Sequence, residues 1–148
     1  MSKIETVIFD AGGVLHESNS AVMKDLTHEL GFSKEILSQI WAEEIPLLGS
    51  GKIDEREFWQ LVSKKHGLRS VGLDENLLGR AFIKQLVPFT EVIKLAKDLS
   101  RLGMRTAILS NTIEPHAKAL QEAGLYDSFD AVLLSHKIGL RKPNTDIY

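Results

Sequence analysis

Cysteine is absent from this 148-residue chain. That one absence excludes disulfides, thiolate metal sites and a cysteine nucleophile together. An excess of positive charge is also missing. The formal net charge is −2 and the pI is near 6.2. No large basic surface follows, which weighs against nucleic acid or an anionic membrane as the main partner. Long apolar runs are lacking too. Met1-Ser2-Lys3-Ile4-Glu5 opens on a charge pair, and the apolar run behind it is too short for a signal-peptide core or a bilayer span. The expectation is a soluble, cytoplasmic protein. There is no internal repeat and no low-complexity segment.

What is present is ordinary for a soluble domain: 43% hydrophobic and 26% charged residues. This length fits one compact α/β domain, or a core with a small insert. Thr6-Val7-Ile8-Phe9 is a short β-branched and aromatic run that ends at Asp10 and is broken by Gly12-Gly13, which suggests a buried parallel strand.

From Ser18 to about Gln85 the periodicity is helical. Asn19 or Ser20 can cap a helix carrying Val22, Met23, Leu26 and Leu30, stopped by Gly31. Ser33 can cap a second, with Ile36, Leu37, Ile40 and Trp41 on one face, interrupted by Pro46 and Gly49-Ser50-Gly51. Asp54 followed three residues on by Glu57 reads as a capping box for a third, burying Phe58, Leu61 and Val62. A fourth starts near Asp74 and presents Leu77, Leu78, Phe82 and Leu86.

After Pro88 strands and helices alternate. Thr90–Leu102 reads as a helix with Val92, Leu95, Ala96 and Leu99 inward, and Gly103 stops it. Thr106–Leu109 is a strand running into Ser110-Asn111-Thr112. Pro115 opens a helix that lasts to Gly124. Ala131–Leu134 is a strand, and the loop Gly139-Leu140-Arg141-Lys142-Pro143 should feed one more helix. The order β, helical insert, αβαβ implies a parallel sheet with right-handed crossovers.

In such a sheet ligands gather at the carboxyl ends of the strands. Those ends carry Asp10 with Gly12-Gly13, then Ser110-Asn111-Thr112, then Ser135 with Lys142 beyond it. An acid, a hydroxyl and a lysine could converge there on one phosphate. The acid attacks, hydroxyl and backbone N–H groups hold the oxygens, and the lysine offsets developing charge.

Three segments together resemble a known family. Phe9-Asp10-Ala11-Gly12-Gly13-Val14-Leu15 is similar to the first motif of the haloacid dehalogenase-like (HAD) superfamily. Ile108-Leu109-Ser110-Asn111-Thr112 resembles its second motif and Gly139-Leu140-Arg141-Lys142-Pro143 its third. The resemblance implies a Rossmann-like α/β core over residues 1–16 and 87–148, with an α-helical cap over 17–86. It implies that Asp10 is a nucleophile forming an aspartyl intermediate, with Lys142 neutralising it. By the same resemblance Ser110, Asn111, Gly12 and Gly13 hold the phosphoryl group, while the Asp10 carboxylate and the Gly12 carbonyl ligate Mg²⁺. A magnesium-dependent phosphatase acting on a small phosphorylated metabolite is the implied activity.

Two departures qualify it. Gly12 stands where most phosphatase members carry a general acid/base aspartate, and losing such a group typically costs about 10²–10⁴ in rate. The fourth motif, an acidic pair after one more strand, is not found before Tyr148. The C-terminal part of the core is thus expected to be missing, the chain truncated or fragmentary, and its metal binding weak. Two alternatives stay open: a 2-haloacid dehalogenase-type hydrolase, which needs no metal, and a non-catalytic phosphate-binding or regulatory relative. A phospho-receiver domain is set aside, because it would not carry a helical insert after its first strand.

Each motif has a plainer reading. Asp10 can cap a turn, Ser110-Asn111-Thr112 can cap a helix, and Lys142 can be a solvated loop charge. The five histidines lack metal-ligand spacing. His16, just after the nucleophile loop, is the one that could reach the cleft, although a structural or surface role is the expectation. Trp41 and Trp59 read as cap core, and Glu43-Glu44 and Lys64-Lys65 as solvated helix faces.

Overall fold

The computed structural model describes residues 4–18, 20–67 and 76–148. Strands β1 (Thr6–Phe9), β2 (Arg105–Ser110) and β3 (Ala131–Leu134) form one parallel sheet in the order β1-β2-β3. Phe9 pairs with Ile108 and Ser110 with Leu134. That register brings the three carboxyl ends to one edge of the sheet. The central strand β2 is buried from Thr106 to Ser110. On β1 the expected burial reaches Phe9 but not Ile8, which is 61% exposed. The reason is position: among the described residues β1 pairs only with β2, so it lies at an edge.

Among the described residues the helical block that follows β1 holds five α-helices, α1 (Ser20–Leu30), α2 (Lys34–Gln39), α3 (Ile45–Gly49), α4 (Glu55–His66) and α5 (Leu77–Lys84). On α1, Val22 and Leu26 are buried; Asn19 and the side chain of Met23 lie outside the described residues. Ser33 caps α2 by accepting from the Ile36 N–H. The chain then stays helical past the expected break. A π-helical turn, Ile40–Glu44, leads directly into α3, where Pro46 occupies the first turn and needs no N–H partner. The same turn rotates its side chains, so Ile40 and Glu44 are buried and Trp41 is 45% exposed. Trp41 is therefore not core, and Glu44 is not on a solvated face. Lys65 pairs with the buried Glu44 at 2.7 Å.

The Asp54–Glu57 capping box forms as expected and opens α4, which buries Phe58, Trp59 and Val62. Glu55 on the same helix is buried too. Its carboxylate accepts from Trp59 Nε1 at 3.2 Å and from the Leu78 N–H at 2.6 Å, joining α4 to the first turn of α5. Burial raises its pKa, and those two hydrogen bonds pull the other way. The expected start of this last helix at Asp74 lies outside the described residues.

The returning chain forms α6 (Thr90–Arg101), β2, α7 (Glu114–Glu122), β3 and the short α8 (Ser135–Ile138). On α6 the inward set is Val92, Ile93 and Ala96, while Leu95 is 51% exposed. The stretch after Pro143 forms a 3₁₀ turn, Thr145–Ile147. This is a Rossmann-like parallel sheet flanked by helices. One apolar cluster runs from Phe58, Trp59 and Phe82 of the helical block to Ile108, Leu120 and Leu134 beside the sheet. Each such buried side chain contributes about 1.5–3 kcal/mol relative to exposure. The two regions thus share one core.

Candidate active site

Asp10 follows the last residue of β1, and its loop is wound tightly. Leu15 and Val14 donate to the Ala11 carbonyl, and Gly13 donates to the His16 carbonyl at 2.8 Å. Gly13 has φ 77°, the left-handed region where a side chain is strained. The Ala11 N–H donates to Asp10 Oδ1 at 2.8 Å, leaving Oδ2 to face Lys142 Nζ, also at 2.8 Å.

Lys142 is held at both ends. Its ammonium donates a second hydrogen bond to the Leu109 carbonyl at 2.8 Å. Its backbone is clamped by the Asn111 side chain, which donates from Nδ2 to the Lys142 carbonyl at 2.9 Å and accepts from the Lys142 N–H at 2.8 Å. The structure therefore joins Asp10 to Lys142, and gives the Asn111 side chain to positioning the lysine loop. Ser110 is buried at the end of β2.

Ser135, the third polar strand end, is spent elsewhere. Its hydroxyl accepts from the Thr112 N–H at 3.0 Å and lies 2.6 Å from the Gly49 carbonyl as a donor. It braces α3 against the sheet and is not among the residues lining the cavity beside the ion pair.

Beside the ion pair is a cavity of about 160 Å³. Gly12, Ser110, Asn111 and Thr112 line it from the sheet, Trp41, Ile45 and Gly49 from the helical block. Asp10 and Lys142 are not among its lining residues, but their chain neighbours Ala11, Gly12 and Arg141 are. The volume is below the roughly 300–1,000 Å³ of drug-sized ligand sites, so any occupant is small.

His16 and His116 also line this cavity. His16 is buried, and its Nδ1 sits 2.7 Å from the Glu17 carbonyl, which can only accept, so Nδ1 carries the proton when the ring is neutral. Its ring lies edge-on to Phe82, and Phe82 stacks on His116 with centroids 4.3 Å apart and planes 17° apart. Burial holds the His16 pKa low, opposed by the Glu17 carbonyl and the Asp10 charge. Burial pushes His116 down to about 3, with a smaller push from His16. His116 Nε2 has no hydrogen-bond partner, so a charge there is uncompensated.

A stability prediction follows from His116. Unfolded, it binds a proton near pH 6.5; folded, it resists until about pH 3. The unfolded state holds more protons in that window, so stability is full above pH 6.5 and is lost as pH falls toward 3. Going from pH 7 to pH 5 should cost about 2 kcal/mol through this residue. Urea denaturation at the two pH values, repeated on His116→Phe, measures it. An unchanged pH dependence in the variant would contradict the assignment.

Magnesium tests less well against these residues. Asp10 Oδ1 is bonded to the Ala11 N–H and Oδ2 to Lys142. No group of three His, Asp or Glu able to hold a metal occurs among the described residues. The Asp10 carboxylate and the Gly12 carbonyl alone fall well short of the octahedral oxygen shell Mg²⁺ demands, so they do not make a site for it. No helix among the described residues is long and apolar enough to cross a membrane.

Among the cavity residues that sequence reading missed are Arg141, His116 and Gly49, and Trp41, read there as core, lines the cavity too. Arg141 had one signal, its place beside Lys142; His116 and Gly49 carried none.

A carboxylate and a lysine meeting at the carboxyl ends of a Rossmann-like parallel sheet define the class as an α/β protein with its candidate site at the strand ends. The family model for haloacid dehalogenase-like hydrolases matches residues 4–148. (S)-2-haloacid dehalogenase 1 of Pseudomonas sp. (strain CBS-3) is 31% identical over 159 residues, covering 100% of this chain and 69% of that protein. The chain belongs to the haloacid dehalogenase-like hydrolase family.

Solved structures agree on the fold. A HAD family enzyme from Bacteroides thetaiotaomicron, in complex with magnesium and inorganic phosphate, has a TM-score of 0.79 at 21% identity, covering 98% of this chain and 75% of that one. L-2-haloacid dehalogenase from Xanthobacter autotrophicus, with chloropropionic acid covalently bound, has a TM-score of 0.59 at 27% identity, covering 99% of this chain and 62% of that one.

Proposed function

We propose that this protein hydrolyses a small phosphorylated metabolite through an aspartyl-phosphate on Asp10. The observation that carries the reading is the Asp10–Lys142 pair, 2.8 Å apart at the strand ends. An Asp10 oxygen attacks phosphorus and the bond to the leaving alcohol breaks. Water then attacks the same phosphorus, releasing phosphate and restoring the carboxylate. Lys142 offsets charge on the transferring group, while the Ser110 hydroxyl and backbone N–H groups near Gly12, Gly13 and Asn111 hold its oxygens. The helical block over residues 17–86 serves as a cap that closes the cavity and excludes water.

Gly12 supplies no proton to the leaving group, so substrates with acidic leaving groups are turned over best. Asp10 and the Gly12 carbonyl do not by themselves make a magnesium site, and no step here passes through a metal.

That shortfall of metal donors favours one second reading, displacement of halide from a 2-haloacid by Asp10 with no metal. A panel of phosphomonoesters and 2-haloacids, with and without chelator, separates the two. Phosphate release is expected. Phosphate release absent across the whole panel would sink the phosphatase reading, and chelator-insensitive halide release would replace it.

A further inference from the structure

Arg141 adjoins Lys142, yet its side chain serves the cavity and not the Asp10 pair. It lines that cavity together with Asn111, Thr112 and Trp41. Its guanidinium lies flat over Gly49: a Cβ built there would come 3.3 Å from Cζ, 3.4 Å from Nε and 3.5 Å from Nη1. The near-equal distances mean the plane of the group faces that glycine. Gly49 has no positive φ, so its backbone does not call for glycine. What it provides is room, and the Ser135 hydroxyl on its carbonyl holds it in place.

The guanidinium is charged at every accessible pH and wants planar acceptors. Among the described residues no carboxylate pairs with it and no acceptor is bonded to its nitrogens. Lys142 is already balanced by Asp10 at 2.8 Å. The cavity therefore carries an unbalanced positive charge on a half-buried fork of donors. That fork matches a carboxylate or a phosphate in two parallel hydrogen bonds. Of the two the carboxylate is smaller and carries less charge, which suits a cavity of about 160 Å³ with one unbalanced positive charge.

We propose that Arg141, seated on Gly49, is a specificity-determining residue that binds the carboxylate of the substrate. The substrate is then a small acid whose reacting end meets Asp10: a phosphorylated hydroxy acid, or a 2-haloacid under the second reading. This rests on Asp10 being the reacting group, so the test has a binding arm and a turnover arm.

In the binding arm, titration calorimetry compares phosphonoacetate with methylphosphonate, and chloroacetate with chloroacetamide, on the whole protein. Each carboxylate-bearing compound is expected to bind more tightly than its neutral counterpart. Arg141→Gln should reduce that preference between about tenfold and a hundredfold. Arg141→Lys should restore part of it. Gly49→Ala, whose methyl would press on the guanidinium at 3.3 Å and shift it by a few tenths of an ångström, should lower the preference in the same direction but by less than Arg141→Gln. The turnover arm uses phosphate esters in place of the phosphonates (the phosphate ester of glycolate against methyl phosphate) beside chloroacetate against chloroacetamide. There, selectivity for the carboxylate-bearing substrate should fall in Arg141→Gln through KM more than through kcat, and which pair is turned over tells the two sources apart. No carboxylate preference in the unaltered protein, or a preference that survives Arg141→Gln, overturns the proposal whatever the turnover. A preference abolished by Arg141→Gln in a protein with no turnover upholds the proposal and defeats the hydrolase reading instead.

Discussion

Asp10→Asn should lower turnover by about 10⁴–10⁶-fold, the scale of losing a nucleophile, and leave the protein folded. The amide keeps the shape of the carboxylate, and its oxygen can still accept from the Ala11 N–H. What it loses is the negative charge that attacks and that faces Lys142 at 2.8 Å. The Asp10 side chain is 46% exposed and that of Lys142 21%. Water screens such a pair, so its loss costs only about 0–1 kcal/mol of stability. Lys142 keeps its bond to the Leu109 carbonyl and its backbone clamp on Asn111. Initial rates and a thermal melt on the purified variant separate the two effects. Activity within tenfold of the parent would remove Asp10 from the chemistry, and a collapsed melt would assign it a structural role.

Phe82→Ala should show the opposite profile, with stability as the large effect. Phe82 is fully buried on α5, edge-on to His16 and stacked on His116 of α7. Truncating a buried phenylalanine costs about 3–5 kcal/mol, a large share of the roughly 5–15 kcal/mol that holds a domain together. The loss comes from apolar area, from the cavity left behind and from the stacking itself. It also frees two histidines that line the site, so KM should rise. Phe82→Leu retains much of the volume and should lose less. Urea denaturation checks this: equal midpoints for Phe82→Ala and the parent would mean that α5 and α7 are not held together through this ring.

Legibility divides along physical lines. Apolar runs ended by polar residues located the three strands found among the described residues, and local signals with a fixed reach located helix ends, as with Asp54 and Glu57 or Pro115. The sequence could place Asp10, Ser110 and Lys142 near one another because strand ends in a parallel sheet share an edge, and the structure pairs Asp10 with Lys142 and buries Ser110. Periodicity failed where the helix changed pitch. The π-helical turn at Ile40–Glu44 turned Trp41 outward and buried Glu44, which a steady 3.6-residue repeat does not foresee. It failed again on α6, where Leu95 faces solvent. The cavity partners of Arg141 were illegible for another reason. Gly49 and Arg141 meet across the fold, and nothing in either one's local sequence specifies the other.

The central claim is that Asp10 carries a phosphoryl group, and one single-turnover reaction in heavy-oxygen water tests it directly. An acyl phosphate opened at phosphorus places the label in the released phosphate and leaves the Asp10 carboxylate unlabelled. That is the predicted result, read by mass spectrometry of the phosphate and of the peptide containing Asp10, together with a phosphoryl group caught on that peptide by rapid acid quench. Labelled phosphate with no phosphorylated peptide at any quench time would contradict the claim, since water attacking the substrate directly gives the same label. Heavy oxygen in the Asp10 carboxylate would contradict it, because that marks water attacking the carbonyl carbon of a carbon ester, the signature of the haloacid route.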